Sequence, residues 1–267
     1  MKPQILIFDS GLGGLSIARA VRRALAGADI TYAADNAAFP YGNLDDDELV
    51  ARVSLVMEAM KRKVRPDVVV IACNTASTLA LEALRRRFHF PFVGTVPAIK
   101  PAAALSDSGI IGVLATPGTV ERDYTRALIQ TYAHHRDVVL HGCGRLAAIA
   151  EAVLRGEEPC SSEISSEIAP AFVERDGKKT DVLVLGCTHY PLIADEIGKA
   201  APWPVQLVDP SEAIARRVAH ILDELDLPLF DEPSPGFAFL TNADDSHIHV
   251  LEREGFAETE ILSIYSA

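Results

Sequence analysis

Two short stretches of similar sequence decide the fold: DVVVIACNT at residues 67–75 and DVLVLGCTH at residues 181–189. Each begins with Asp, continues through four apolar residues and a small residue, and reaches a cysteine followed by polar side chains. When the stretches are aligned on the first Asp, Cys73 and Cys187 fall in register. A short apolar run of this kind is typical of a buried strand in a parallel sheet. We therefore predict two equivalent strands, each with a thiol at its C-terminal end.

The likeness extends along both halves of the chain, where strand-like and helical segments alternate as in parallel α/β sheets. Four predicted strands recur in the same order, which indicates an internal duplication. The further matched positions are Phe8 with Leu114, Asp29 with Asp137, and Val96 with Val208. The predicted fold is α/β, with two pseudo-symmetric parallel-sheet domains and the active site between them. The predicted domains are residues 1–97 plus 210–267, and residues 98–209. Two late strand-like runs, 236–241 and 260–265, are expected to pack back on the first domain.

Composition excludes several classes of function. The chain has 267 residues, of which 49% are hydrophobic, and a formal net charge of −12, so no nucleic-acid partner is expected. No apolar run approaches the ~20 residues that a membrane-spanning helix needs. The first residues do not form a signal peptide, which predicts a cytoplasmic protein with reduced cysteines. Because no cysteines have the spacing of a metal site, no metal is expected.

Polar residues at the predicted strand ends form the candidate site, because open parallel sheets bind ligands outside the C-terminal ends of their strands. The Gly-rich segment 11–14 lacks the last glycine of a dinucleotide fingerprint and the lysine of a P-loop. No lysine stands at a strand end to hold a Schiff-base cofactor, so we expect no cofactor. The residues at the strand ends are Asp9, Ser10, Tyr41, Gly42, Cys73, Asn74, Thr75, Thr116 to Thr119, Cys143, Cys187, Thr188 and His189.

The two thiols are the candidate acid/base groups. A cysteine between a strand and a helix N-terminus feels the helix dipole, which favours the thiolate. An unperturbed thiol has a pKa of ~8.5, so a modest shift makes it a usable base near neutral pH. Asp9 is placed to assist Cys73, and His189 to assist Cys187.

Two acid/base groups on opposite faces of one small molecule suit a stereo-inversion. One thiolate would remove a proton from a tetrahedral carbon, and the other thiol would return a proton on the far face. The carbanion needs its carboxylate held by fixed donors, which helix N-termini, hydroxyls and amides supply. The predicted substrate is thus a small carboxylate or dicarboxylate.

Four motifs in this order resemble those of the glutamate racemases, in the cofactor-independent aspartate/glutamate racemase superfamily: DSGLGG (9–14), PYG (40–42), ACNTA (72–76) and GCTHYP (186–191). The resemblance implies that Cys73 acts on the α-proton of D-glutamate and Cys187 on that of L-glutamate, assisted by Asp9 and His189. It implies D-glutamate production for peptidoglycan, and it leaves a homodimer open. The residues that it places at the substrate are Asp9, Ser10, Tyr41, Gly42, Asn74, Thr75, Thr188 and His189.

Residues 143–151, CGRLAAIAE, depart from the family pattern, in which a Cys-Pro pair precedes a Pro-containing run that ends in Val-Glu. The departure leaves the shape of this side of the pocket open, and we interpret Cys143 and Cys160 as structural. One alternative is an aspartate or hydantoin racemase with the same two thiols. A second is a two-lobed binding protein, which is disfavoured because it has no use for paired thiols.

Overall fold

The computed structural model describes residues 2–230 and 234–264 of the chain. The chain divides into two units, Met1–Thr95 with Ser211–Ala267, and Val96–Pro210. The sequence predicted domains at residues 1–97 plus 210–267 and at residues 98–209. That these ranges are separate domains stays a prediction. Within the described ranges, no helix has both the length and the apolar character that crossing a membrane requires.

The first unit begins with four strands alternating with three helices. These are β1 (Gln4–Asp9), α1 (Leu15–Ala24), β2 (Asp29–Ala34), α2 (Asp46–Lys63), β3 (Val68–Ile71), α3 (Asn74–Arg87) and β4 (Phe92–Gly94). After the second unit the chain returns to it with α10 (Ser211–Glu224), β11 (Gly236–Leu240), α11 (Asp245–Arg253) and β12 (Phe256–Ile261). All six strands form one parallel sheet in the order β12-β11-β2-β1-β3-β4.

The second unit contains a four-stranded parallel sheet in the order β10-β9-β5-β6. Its elements are α4 (Ile99–Leu105), β5 (Ile110–Ala115), α5 (Pro117–Glu121), α6 (Asp123–Tyr132), β6 (Asp137–Gly142), α7 (Leu146–Leu154), α8 (Ser161–Ile168), β7 (Glu174–Arg175), β8 (Lys178–Lys179), β9 (Val182–Leu185), α9 (Ala194–Ala200) and β10 (Gln206–Val208). Strands β7 and β8 form a separate antiparallel pair. Together the two units confirm the predicted α/β class with parallel sheets.

The duplication is visible in the order of the strands. In the first sheet β2, β1, β3 and β4 are neighbours in that order, and their counterparts β6, β5, β9 and β10 repeat it. The register repeats as well, because Ile5 pairs with Val68 and Ile111 pairs with Val182. The fourth predicted match was wrong. Val96 lies beyond β4, and the register aligns Phe92 with Leu207 instead.

The central strands are buried because their side chains are apolar on both faces, as helices on both sides of a parallel sheet require. All four residues of β3, VVVI, and all four of β9, VLVL, are buried. The expected return of the late strands is also seen, since β11 pairs in parallel with β2. The second of these runs was placed too late, because β12 ends at Ile261. Tyr265, the end of the predicted run, lies outside the described residues.

One predicted helix, 119–132, is broken into α5 and α6. Arg122 has extended backbone angles between the two helices. The Thr125 hydroxyl donates to the carbonyl oxygen of Thr119 at 2.7 Å, which occupies an acceptor that a continuous helix would use. Helix α3 differs in the other direction, because it begins at Asn74 and not near Ser77. This earlier start places Cys73 directly before the first turn.

Candidate active site

In the first unit, Asp9, Ser10 and Cys73 lie together because β1 and β3 are adjacent and parallel, so both end at the same edge of the sheet. All three residues are buried. The Ser10 hydroxyl oxygen lies 3.2 Å from Asp9 Oδ1 and 3.8 Å from Cys73 Sγ. The backbone N–H of Gly11 donates to the same Asp9 oxygen at 2.8 Å. Ser10 therefore joins the carboxylate to the thiol in one hydrogen-bonded group.

Helix α3 presents polar groups beside Cys73. Cys73 is its N-cap, and its thiol makes no capping hydrogen bond. The first turn of a helix has N–H groups without intrahelical partners, so this helix start can offer donors to an anion. Asn74 is 3% exposed, and neither its amide nitrogen nor its amide oxygen has a hydrogen-bond partner among the described residues. A buried amide without partners costs free energy, so it is a group that a ligand could satisfy. Thr75 follows in the same turn and is also buried.

Tyr41 lies in the same buried apolar cluster as Cys73. Its hydroxyl donates to Asp35 Oδ2 at 2.6 Å. Burial and then the negative charge of Asp35 raise the pKa of Tyr41 well above its usual value, so the phenol remains protonated. The hydroxyl is thus occupied by the protein. Gly42, which follows it, is half-buried.

In the second unit, Cys187, Thr188 and His189 follow β9 and are buried. The predicted helix N-terminus is wrong at this position. The chain makes a turn and then a 3-10 helix over Tyr190–Ile193 before α9 begins. The helix-dipole argument therefore applies to Cys73 but not to Cys187, whose environment comes from side chains.

The Cys187 thiol belongs to a chain of three side chains. Its sulfur lies 3.8 Å from Nδ1 of His189, and Nε2 of His189 lies 2.9 Å from Oε1 of Glu151. His189 is 2% exposed and Glu151 is 1% exposed. Burial lowers the pKa of His189, but hydrogen bonds to Cys187 and Glu151 and the charges of both raise it more. The net effect places the pKa of His189 well above its usual value, so the buried imidazole is held in its protonated form beside the Cys187 sulfur.

Because it contacts His189, Glu151 is a candidate site residue that sequence reasoning missed. It lies on α7, 38 positions before His189, and was noted only as the last residue of an atypical segment. The available signal was an acidic residue inside a largely apolar helix, LAAIAEAVL, where a buried carboxylate needs a partner.

Cys143 directly follows strand β6 of the second sheet. Its thiol donates to the Glu167 carbonyl oxygen at 3.4 Å. Burial, followed by the charge of Glu167, raises the pKa of Cys143 to about 12. A thiol with this pKa stays protonated at neutral pH and does not act as a base. Cys160 is exposed. In residues 2–230 and 234–264, no cluster of three His, Cys, Asp or Glu side chains could hold a metal ion.

Comparison with known proteins gives one consistent family. The family model for Asp/Glu/hydantoin racemases matches residues 14–218. Curated glutamate racemases are similar in sequence: that of Brucella canis is 49% identical over 245 residues, 88% of both chains, and that of Agrobacterium fabrum is 46% identical over 248 residues, 89% of this chain and 90% of the other. The crystal structure of Escherichia coli glutamate racemase with L-glutamate and the activator UDP-MurNAc-Ala superposes with a TM-score of 0.90 at 40% identity, covering 98% of this chain and 99% of that one.

Proposed function

Because the chain belongs to the Asp/Glu/hydantoin racemase family, we propose that it interconverts L- and D-glutamate without a cofactor, using two cysteines as acid and base. The observation that carries the proposal is the repeated placement of a thiol. In each unit a cysteine follows the strand that pairs with the central strand, β3 in one and β9 in the other. Each unit thus contributes one thiol with its own polar neighbours.

In the proposed reaction the Cys73 thiolate removes the α-proton of D-glutamate, and the Cys187 thiol donates its proton to the opposite face of the carbanion. The product is L-glutamate, with Cys73 left as a thiol and Cys187 as a thiolate. The reverse reaction begins with Cys187 and ends with Cys73. Asp9 assists Cys73, with Ser10 in contact with both groups, and His189 assists Cys187.

The proposed substrate contacts are polar groups beside the two thiols. The protein has a net charge of −12, so a dicarboxylate must be held by local donors and not by the overall field. The unpartnered amide of Asn74 and the first-turn N–H groups of α3 are such donors. Because the Tyr41 hydroxyl donates to Asp35, we propose that Tyr41 borders the substrate with its ring and does not donate a hydrogen bond to it. The proposed substrate-binding residues are Asp9, Ser10, Tyr41, Gly42, Asn74, Thr75, Thr188 and His189.

We propose glutamate as the substrate in preference to aspartate or a hydantoin. All three belong to the description of the family, but the curated relatives and the superposed structure are glutamate racemases. We further propose a cytoplasmic location, since both thiols must stay reduced to exchange protons. We also propose that the protein supplies D-glutamate for peptidoglycan. Finally, we propose that it assembles as a homodimer, which size-exclusion chromatography with light scattering tests.

The proposal is tested by incubating the protein with L-glutamate in deuterated water while circular dichroism and α-deuterium content are followed. Glutamate should racemise with incorporation of deuterium, and parallel incubations with L-aspartate and a 5-substituted hydantoin should be much slower. If glutamate neither inverts nor exchanges its α-proton, the proposal is wrong.

Serine variants test the two-thiol mechanism. Cys73→Ser and Cys187→Ser should each abolish racemisation, because a hydroxyl is a far weaker acid than a thiol. Cys160→Ser is the matched control, since Cys160 is exposed and makes its hydrogen bond with nearby Ser162. Wild-type turnover by either of the first two variants would require a different mechanism.

A further inference from the structure

The carboxylate of Asp35 holds together three separate parts of the first unit. Asp35 follows β2 and is fully buried. Its Oδ1 accepts hydrogen bonds from Arg52 Nη2 at 2.6 Å and from the Thr241 hydroxyl at 2.7 Å. Its Oδ2 accepts from the Tyr41 hydroxyl at 2.6 Å and from Arg52 Nε at 2.8 Å. Each oxygen thus receives two donors, which fills the capacity of a carboxylate.

Thr241 comes from the late part of the chain and reaches Asp35 through strand pairing. Strand β11 pairs with β2 so that Leu240 lies opposite Ala34. Thr241 and Asp35 directly follow these two strands, and the pairing therefore brings them side by side. The Thr241 hydroxyl oxygen also accepts the backbone N–H of Ala37 at 3.1 Å. One hydroxyl thus binds both the Asp35 carboxylate and the backbone that follows it.

The backbone that Thr241 holds leads directly to Tyr41 and Gly42. We call residues 36–43 the pocket loop; it contains two short 3-10 turns, Asn36–Ala38 and Tyr41–Asn43. At its start the Asn36 side chain exchanges two hydrogen bonds with the backbone of Asn242, at 2.9 and 3.0 Å. At its end the Tyr41 hydroxyl binds Asp35, and the ring packs in the cluster that includes Cys73. Both ends of the loop are fixed by the same small group of residues.

We propose that Thr241 is a positioning residue for the reaction, which holds the pocket loop at the substrate through Asp35 and through the N–H of Ala37. Thr241 does not touch the reacting atoms. Its effect passes to Tyr41 and Gly42, so the C-terminal part of the chain sets the shape of the pocket on the Cys73 side. This inference rests on the proposed racemase function.

The test compares Thr241→Val, which removes the hydroxyl with little change in shape, with Thr241→Ser, which keeps it. Thr259→Val is the matched control, because Thr259 lies on the neighbouring β12 and its hydroxyl has no hydrogen-bond partner among the described residues. Thr241→Val should raise the KM for both glutamate enantiomers about tenfold with kcat within about twofold, the pattern of lost ground-state binding. Thr241→Ser and Thr259→Val should retain the wild-type KM.

Hydrogen exchange separates this inference from the proposed function. The Ala37 amide and its neighbours in the pocket loop should exchange about tenfold faster in Thr241→Val than in the wild type, Thr241→Ser or Thr259→Val. Unchanged exchange, or an unchanged KM in an active enzyme, overturns the positioning role. If the wild type does not racemise glutamate, the proposed function is wrong. Faster loop exchange in Thr241→Val would then still establish the contact between Thr241 and the pocket loop.

Discussion

Replacing Glu151 by Gln gives the sharpest test of how Cys187 is supported. Gln keeps the size of the side chain and an oxygen to accept from His189, so the substitution removes the negative charge and little else. In the wild type that charge lies 2.9 Å from Nε2 of His189, and both side chains are almost fully buried. Without it His189 loses a partner for its protonated form, and the Cys187 thiolate loses a positive neighbour.

A hydrogen bond to a charged group contributes roughly 1.5–3 kcal/mol, so kcat/KM for Glu151→Gln should fall roughly 10- to 150-fold. The assay is racemisation followed by circular dichroism from both enantiomers between pH 6 and 9. The pKa of His189 should be lower in the variant, so the loss should be greater at the alkaline end of this range.

The control is Glu157→Gln. Glu157 is exposed and pairs with Arg155, which also approaches Glu151, so this variant removes a nearby charge without touching His189. It should keep wild-type kinetics. If Glu151→Gln has the kcat/KM and the pH profile of the wild type, the Glu151–His189 pair does not support Cys187, and the role given to it here must be abandoned.

Three further outcomes are expected. Asn74→Ala should raise the KM for glutamate. Its melting temperature, followed by circular dichroism, should stay within a few degrees of the wild type, because no described residue binds the Asn74 amide. An unchanged KM would show that Asn74 does not bind the substrate. Denaturation by urea should show that the stability difference between the wild type and Glu151→Gln shrinks as pH rises. The pKa of His189 is raised in the folded state, so its contribution is complete below the unfolded value of about 6.5 and is lost as pH passes through the folded value; a difference that grew with pH would contradict the charged pair. Gly14→Ala should destabilise the protein by about 1–3 kcal/mol and lower its activity, since a Cβ at this position would lie 2.9 Å from both Asp9 Cβ and the Tyr32 hydroxyl. Wild-type stability and activity would show that the segment around Asp9 moves to accommodate the methyl group without cost.

The parts of the fold that could be predicted from sequence are those governed by local apolar patterns. The runs ending at Cys73 and Cys187 are buried strands, and the offsets of the first three matched strands agree with the pairing register. The match at β4 was wrong because this strand has only three residues, too few for the pattern to locate its end. The short β7–β8 pair was not predicted for the same reason: each strand has two exposed residues.

The contacts that support the candidate site could not be predicted, because they join residues far apart in the chain. Glu151 meets His189 across 38 positions, and Thr241 meets Asp35 across 206. Neither pair has a spacing or a motif of its own. The surroundings of Cys187 were mispredicted because a turn and a 3-10 helix have no apolar period that would distinguish them from the start of an α-helix.

The interrupted course of the first unit has a consequence for synthesis on the ribosome. Strands β1 to β4 emerge early, but the edge of β2 remains open until β11 has been made, after the whole second unit. Helix α10, which packs against α1, also arrives late. During this interval an unpaired strand edge and apolar helix faces are exposed, and both favour misassembly. The second unit is continuous from residue 96 to 210 and has no such delay. The first unit is therefore begun before the second unit but is completed after it.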